Sequence, residues 1–280
     1  MYPVNVSKNV SAIKRRIYET EFFPGNLPKA KSPDDIGETL REGKIRESLD
    51  YWGSDTLSDI VSDLMKEKES ITKLRLEDPK YKPDLEACKT REDKINRSQY
   101  FFVEALVDIQ IGNAYLVAGK EFHKKSKSEW VPDTSIELYK TAAEYLGMAL
   151  DKLDQSKGIP ITSFVKPAYV EALNNLNYVH TELANAIWEK YSRSHSVEGL
   201  LLEGLDPDTV RATRSALISV SDHANAIARN LGRFRDAFKN YLIPSERAII
   251  TEMRSKIRSF DKAMKVYVEG TTFVPATVSG

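Results

Sequence analysis

Between about Asp84 and Lys125 the chain carries no proline, and Leu85, Cys88, Ile95, Phe102, Leu106, Ile109 and Leu116 recur at the spacing of one helix face. At about 1.5 Å per residue this predicts a rod of roughly 60 Å. Mean helices in globular proteins are about 12 residues long, so such a rod needs other rods to cover it. Tyr100, Phe101 and Phe102 are consecutive. At about 100° per residue they point in different directions, which implies that this helix is covered on more than one side.

The remaining chain reads as those other rods. Pro24, Gly25 and Pro28 follow a first short helix near 6–20, and Ser32-Pro33 opens a second that runs to about residue 50. Gly53-Ser54 restarts the chain into Leu57, Ile60, Val61, Leu64, Ile71 and Leu74 at threes and fours. Pro132, Pro167, Asp206-Pro207 and Pro244 mark the starts of four more helices, and Gly270 ends the last. The only β-prone run is Thr271 to Val278, and Pro275 bars it from a central strand. Short connections between long helices imply antiparallel hairpins, so the expected fold is all-α: a bundle or short α-solenoid of about seven or eight helices. Three regions are expected: an acidic helical region over 1–80, a main helical body over 81–270 and an extended tail over 271–280.

Lys plus Arg equals Asp plus Glu at 41 each, so no global field favours a nucleic acid or an anionic membrane. The distribution is uneven. From Ser32 to Lys80 acidic residues outnumber basic ones 13 to 8, whereas from Asp206 to Glu269 basic residues outnumber acidic ones 12 to 8. Opposite potentials at the two ends steer a heterologous, head-to-tail contact between copies. The residues expected to carry it are Asp55, Asp59 and Asp63 on the acidic side and Arg229, Arg233, Arg254 and Arg258 on the basic side. The same arginines form the alternative site, a phosphate-contacting groove, since Arg229 and Arg233 stand four apart on one helix face. His123 to Lys127 form a further basic cluster.

Catalytic and metal patterns are sparse. None of His123, His180, His195 or His223 follows a glutamate by three positions, which removes the paired Glu-X-X-His of carboxylate-bridged di-iron bundles. One cysteine and four scattered histidines lack the spacing of structural zinc. His180 and Glu182 are two apart, and such residues do not face each other on a helix. No cofactor, metal or small-molecule substrate is expected. Cys88 has no internal disulfide partner, no apolar run is seen to approach the 18 or so residues of a membrane span, and the start lacks a signal-peptide pattern, so the expected location is the cytoplasm.

Small residues recur where helix backbones would approach. The stretch Ile111-Gly112-Asn113-Ala114-Tyr115-Leu116-Val117-Ala118-Gly119, followed by Ile136-Glu137-Leu138-Tyr139-Lys140-Thr141-Ala142-Ala143, resembles the two helices of a tetratricopeptide unit. Ala172 to Tyr178 and Asn230 to Tyr241 are similar to further units, and together these cover about a third of the chain. The two first-helix stretches, from Ile111 and from Ala172, begin about 60 residues apart, where the family repeats at about 34. The resemblance implies stacked helical hairpins and a protein-binding scaffold. The expected function is therefore a non-catalytic structural or scaffolding subunit that self-assembles or holds a protein partner. The alternative is a nucleic-acid-packaging or coat-type subunit using the basic C-terminal hairpin.

Overall fold

The computed structural model describes residues 54–125, 132–156, 158–159, 161–194 and 207–270. Six helices fill them: α1 (Ser54–Glu77), α2 (Arg91–Lys125), α3 (Pro132–Gln155), α4 (Lys166–Ser194), α5 (Pro207–Ala237) and α6 (Pro244–Gly270). A π-helical turn, Ile161–Val165, leads into α4, and no strand occurs among the described residues. The helices expected near 6–20 and 32–50, and the tail over 271–280, lie outside the described residues.

Proline opens α3, α5 and α6, where its missing N–H costs nothing because first-turn donors have no intrahelical partner. The long helix starts later than its apolar spacing suggests. Thr90 Oγ1 accepts the Asp93 N–H at 3.0 Å and Asp93 Oδ2 accepts the Thr90 N–H at 3.1 Å, a capping box that fixes the first turn at Arg91. Leu85 is therefore exposed, and Cys88 is buried in the preceding turns with its thiol 3.4 Å from the Asp84 carbonyl, not on a helix. At 35 residues, α2 spans about 52 Å.

Each helix packs chiefly on its neighbours in the chain, and α2 with α3 forms the most extensive hairpin. Side chains also bridge alternate helices. Lys166 of α4 reaches Glu246 of α6 at 3.0 Å, and Asn175 Nδ2 of α4 donates to Asn113 Oδ1 of α2 at 2.7 Å. The main core runs from α2 through α6 and includes Phe102, Tyr139, Leu146, Tyr169, Leu183 and Phe238. A smaller core joins α1 to the other side of α2 through Val61, Leu64, Ile71, Val103, Val107 and Ile111. Thus α2 is covered on two sides, as the consecutive aromatics imply. Its stretch Arg91–Lys120 is long and apolar enough to cross a membrane by length and composition, contrary to the expectation that no run approaches that length; 72% of its apolar window is buried inside the protein.

Two glycines permit the α2–α3 approach. A Cβ on Gly119 would stand 2.7 Å from two ring carbons of the fully buried Tyr139, and one on Gly112 would stand 2.7 Å from Leu146 Cγ. Gly147, by contrast, has open space around it. Gly119→Ala is expected to lower stability by about 1–3 kcal/mol through overpacking. Gly147→Ala should raise it by about 0.5–1 kcal/mol through helix propensity. Urea unfolding followed by circular dichroism reads both, and equal shifts for the two variants would refute the close approach at Gly119.

Candidate functional site

Three polar constellations lie between the helices. The first surrounds two carboxylates one turn apart on α2. Asp108, with no exposed surface, receives Lys68 Nζ of α1 at 2.7 Å and Lys152 Nζ of α3 at 2.6 Å. Glu104 meets Lys152 at 3.3 Å and Arg75 of α1 at 2.7 Å. Lys68 also lies 5.3 Å from the Tyr145 ring centroid, and that ring stacks on Tyr115. Two carboxylates and three cations thus tie α1, α2 and α3 together. Each carboxylate faces two cations, an arrangement that suits it to bracing helices.

The second constellation is built around His123 of α2, whose Nε2 lies 3.1 Å from Glu189 and whose Nδ1 lies 3.8 Å from Glu182, both of α4. Tyr139 of α3 donates to Glu182 at 3.4 Å and stands edge-on to the imidazole. His123 is buried here, so it does not belong to the surface cluster expected over 123–127. The third pairs His180 of α4 with His223 of α5, Nδ1 to Nδ1 at 3.2 Å. Burial holds His180 down at about 4, with the neighbouring His223 and Arg229 adding to the effect. Burial lowers His223 as well; Asp222 opposes this and Lys140 of α3 reinforces it. As the sequence spacing implies, His180 and Glu182 face different neighbours: one turns to α5, the other to α2 and α3. Among the described residues no group of three or more His, Cys, Asp or Glu is arranged to hold a metal ion.

The expected interface residues divide. Asp63 is exposed on α1 and pairs with Lys66 at 2.9 Å; the side chains of Asp55 and Asp59 on the same helix lie outside the described residues. Arg233 turns inward, with Nε and Nη2 at 2.8 and 2.6 Å from Asp154 and Nη2 at 2.7 Å from Asp151, both of α3. Those aspartates keep its guanidinium charged despite burial. Arg254 is half-buried, its guanidinium lying over Gly232, where a Cβ would stand 3.1 Å from it. Arg229 and Arg258 are exposed. The four arginines therefore do not form one continuous outward row.

The end helices differ in what they turn inward. On α1, which has six carboxylates and four cations, two of the cations, Lys68 and Arg75, are drawn onto α2, so its outer surface is more acidic than its composition. On α6, with six cations and four carboxylates, two carboxylates are drawn in along with Arg254. Asp261 accepts from Ser221 at 2.5 Å and Asn225 at 2.7 Å of α5, and with Lys265 these bonds hold it down at about 2. Glu246 is held below its ordinary value first by the Lys166 hydrogen bond and then by the Ile243 N–H. Comparison with protein-family models, with curated proteins and with solved structures gives no match to this chain.

Proposed function

We propose that the chain is a non-catalytic structural or scaffolding subunit that joins copies of itself through contacts between its acidic and basic regions. The observation that carries this reading is the arrangement of charge on an open array. Among the described residues, helices stack neighbour on neighbour from α1 to α6, and the first and last of them carry opposite net charge. Opposite signs on the two ends favour end-to-end joining and penalise like ends. The three buried polar constellations fit a bracing role, since each cross-links two or more helices and gives the array stiffness.

Light scattering tests this directly. The mass is expected to rise with protein concentration from the 31.7 kDa single chain and to fall again as salt is raised from about 50 mM to 500 mM, where screening shortens to a few ångströms. A 31.7 kDa species at every concentration and salt would overturn self-assembly.

A further inference from the structure

We infer that His180 and His223 form a two-nitrogen seat for a first-row divalent transition-metal ion, which clamps α4 to α5. The site goes beyond the scaffold reading and does not depend on self-assembly. The two rings come from different helices, 43 positions apart in the chain, and meet through the same atom, Nδ1 to Nδ1 at 3.2 Å. Such metals hold an imidazole nitrogen at about 2.0–2.1 Å, so two ligands set between a right angle and a tetrahedral angle stand about 2.9–3.4 Å apart. The observed separation is already inside that range. Two Nδ1 atoms this close share one proton at most, so at least one lone pair points into the gap. As the ion enters, the proton on the donating Nδ1 passes to Nε2 of the same ring, both Nδ1 lone pairs bind the metal, and neither imidazole changes charge. The rings are tilted by 34° with centroids 5.4 Å apart, and rotation of each about its Cβ–Cγ bond brings the two lone pairs onto one point.

The contrast with His123 shows why the seat is this pair. Both nitrogens of His123 face carboxylates, Glu189 at 3.1 Å and Glu182 at 3.8 Å, which engage it as a brace. Among the described residues no carboxylate hydrogen-bonds to His180 or His223, and each ring has only the other as its polar partner. The frame beside them is fixed. Asn230 Nδ2 of α5 donates to Asn177 Oδ1 of α4 at 3.2 Å, one turn from His180, so the two backbones are tied next to the rings. Both rings are half-buried, and waters reach the ion to complete its shell. Imidazole suits zinc, nickel and copper, whereas magnesium and calcium take oxygen ligands. Arg229 of α5 and Lys140 of α3 bring positive charge near the pair and Asp222 brings negative charge. With two protein ligands and this balance, the site binds more weakly than a closed centre of four.

The test titrates zinc chloride and nickel chloride into the full chain at about pH 7.5, where an ordinary imidazole is neutral, with magnesium chloride as the control. Saturable binding of one zinc or nickel ion per chain is expected, and none of magnesium. Zinc at about a hundredfold excess over its dissociation constant is expected to raise the melting temperature by about 5–10 °C. His180→Phe and His223→Phe, each alone, should weaken zinc binding by at least about tenfold, with unchanged helical circular dichroism as the check that they fold. X-ray absorption at the zinc edge of the unaltered chain needs no variant and should show two imidazole nitrogens at about 2.0–2.1 Å. Zinc binding that survives either substitution at full strength, zinc bound by fewer than two imidazoles, or an unaltered chain with no saturable binding would overturn the site.

Discussion

Asp108→Asn is expected to lower the free energy of unfolding by about 3–5 kcal/mol, although the two side chains have nearly the same shape. The carboxylate has no exposed surface and holds two ammonium groups, Lys68 at 2.7 Å and Lys152 at 2.6 Å. Removing its charge leaves three cations facing one carboxylate, Glu104, at the junction of α1, α2 and α3. The amide keeps one acceptor for two donors that each require an anion, and partly buried cations without compensation cost far more than a missing hydrogen bond. The ammonium stems retain some access to water, at 24% and 17% exposure, so relaxation toward solvent places the effect nearer the lower bound. The origin of the loss is testable by a second change. Asp108→Asn with Lys152→Met restores the original charge balance of the cluster and should recover part of the stability. Urea unfolding of both variants is the measurement, and a single-variant loss under 1 kcal/mol would show that the cluster does not brace the three helices.

This cluster also shows where sequence reasoning stops. The starts of α3, α5 and α6 are legible, because Pro132, Pro207 and Pro244 act locally. The start of α2 was misplaced because Leu85 and Cys88 happen to continue the apolar spacing across the boundary. The signal that could have placed it, Thr90 followed three residues later by Asp93, is present in the chain and acts through two hydrogen bonds. In the middle of α2 the informative feature was density, not periodicity. Phe102, Val103, Ala105, Val107, Ile109 and Ile111 leave no side free, so the polar residues among them, Glu104, Asp108 and Gln110, must be buried too. A stripe-based reading follows one face and passes over the polar side chains that the second covering helix encloses.

The basic residues illustrate the same point at the surface. Arg229 and Arg233 are one turn apart, yet the turn of about 40° between positions i and i+4 leaves Arg229 outside and carries Arg233 onto Asp151 and Asp154. Those partners are 82 and 79 residues away in the chain, a separation that local spacing cannot register. The overall polarity, acidic early and basic late, was legible as a count. Which charges turn inward, Lys68 and Arg75 on α1 and Asp261, Glu246 and Arg254 on α6, depends on contacts that only the packed helices create.

Between pH 6.5 and 4 the protein is expected to lose about 2–3 kcal/mol of stability through the His180–His223 pair, beyond what its carboxylates contribute. In the folded chain His180 titrates near 4, and burial is the main cause; in the unfolded chain an imidazole titrates near 6.5. The unfolded state therefore takes up its proton first as the pH falls. Stability from this group is complete above pH 6.5 and drains away on the approach to 4, at most about 1.4 kcal/mol per pH unit. His223 is lowered in the same direction, and Arg229 and Lys140 oppose a second charge between α4 and α5, while Asp222 favours it. With Nδ1 atoms 3.2 Å apart, the two rings share one hydrogen bond only while at least one is neutral, so protonating both replaces an attraction by a repulsion across the helix interface. Held carboxylates such as Asp261, near 2, lose most of their contribution below pH 4, and what they lose above it is common to both chains and cancels in the difference. The measurement is the unfolding free energy at several pH values for the unaltered chain and for His180→Phe with His223→Phe, which keeps ring volume and removes the titration. The difference between the two curves should slope between pH 6.5 and 4 and flatten above it; parallel curves would mean that the imidazoles are protonated as readily in the folded chain as in the unfolded one.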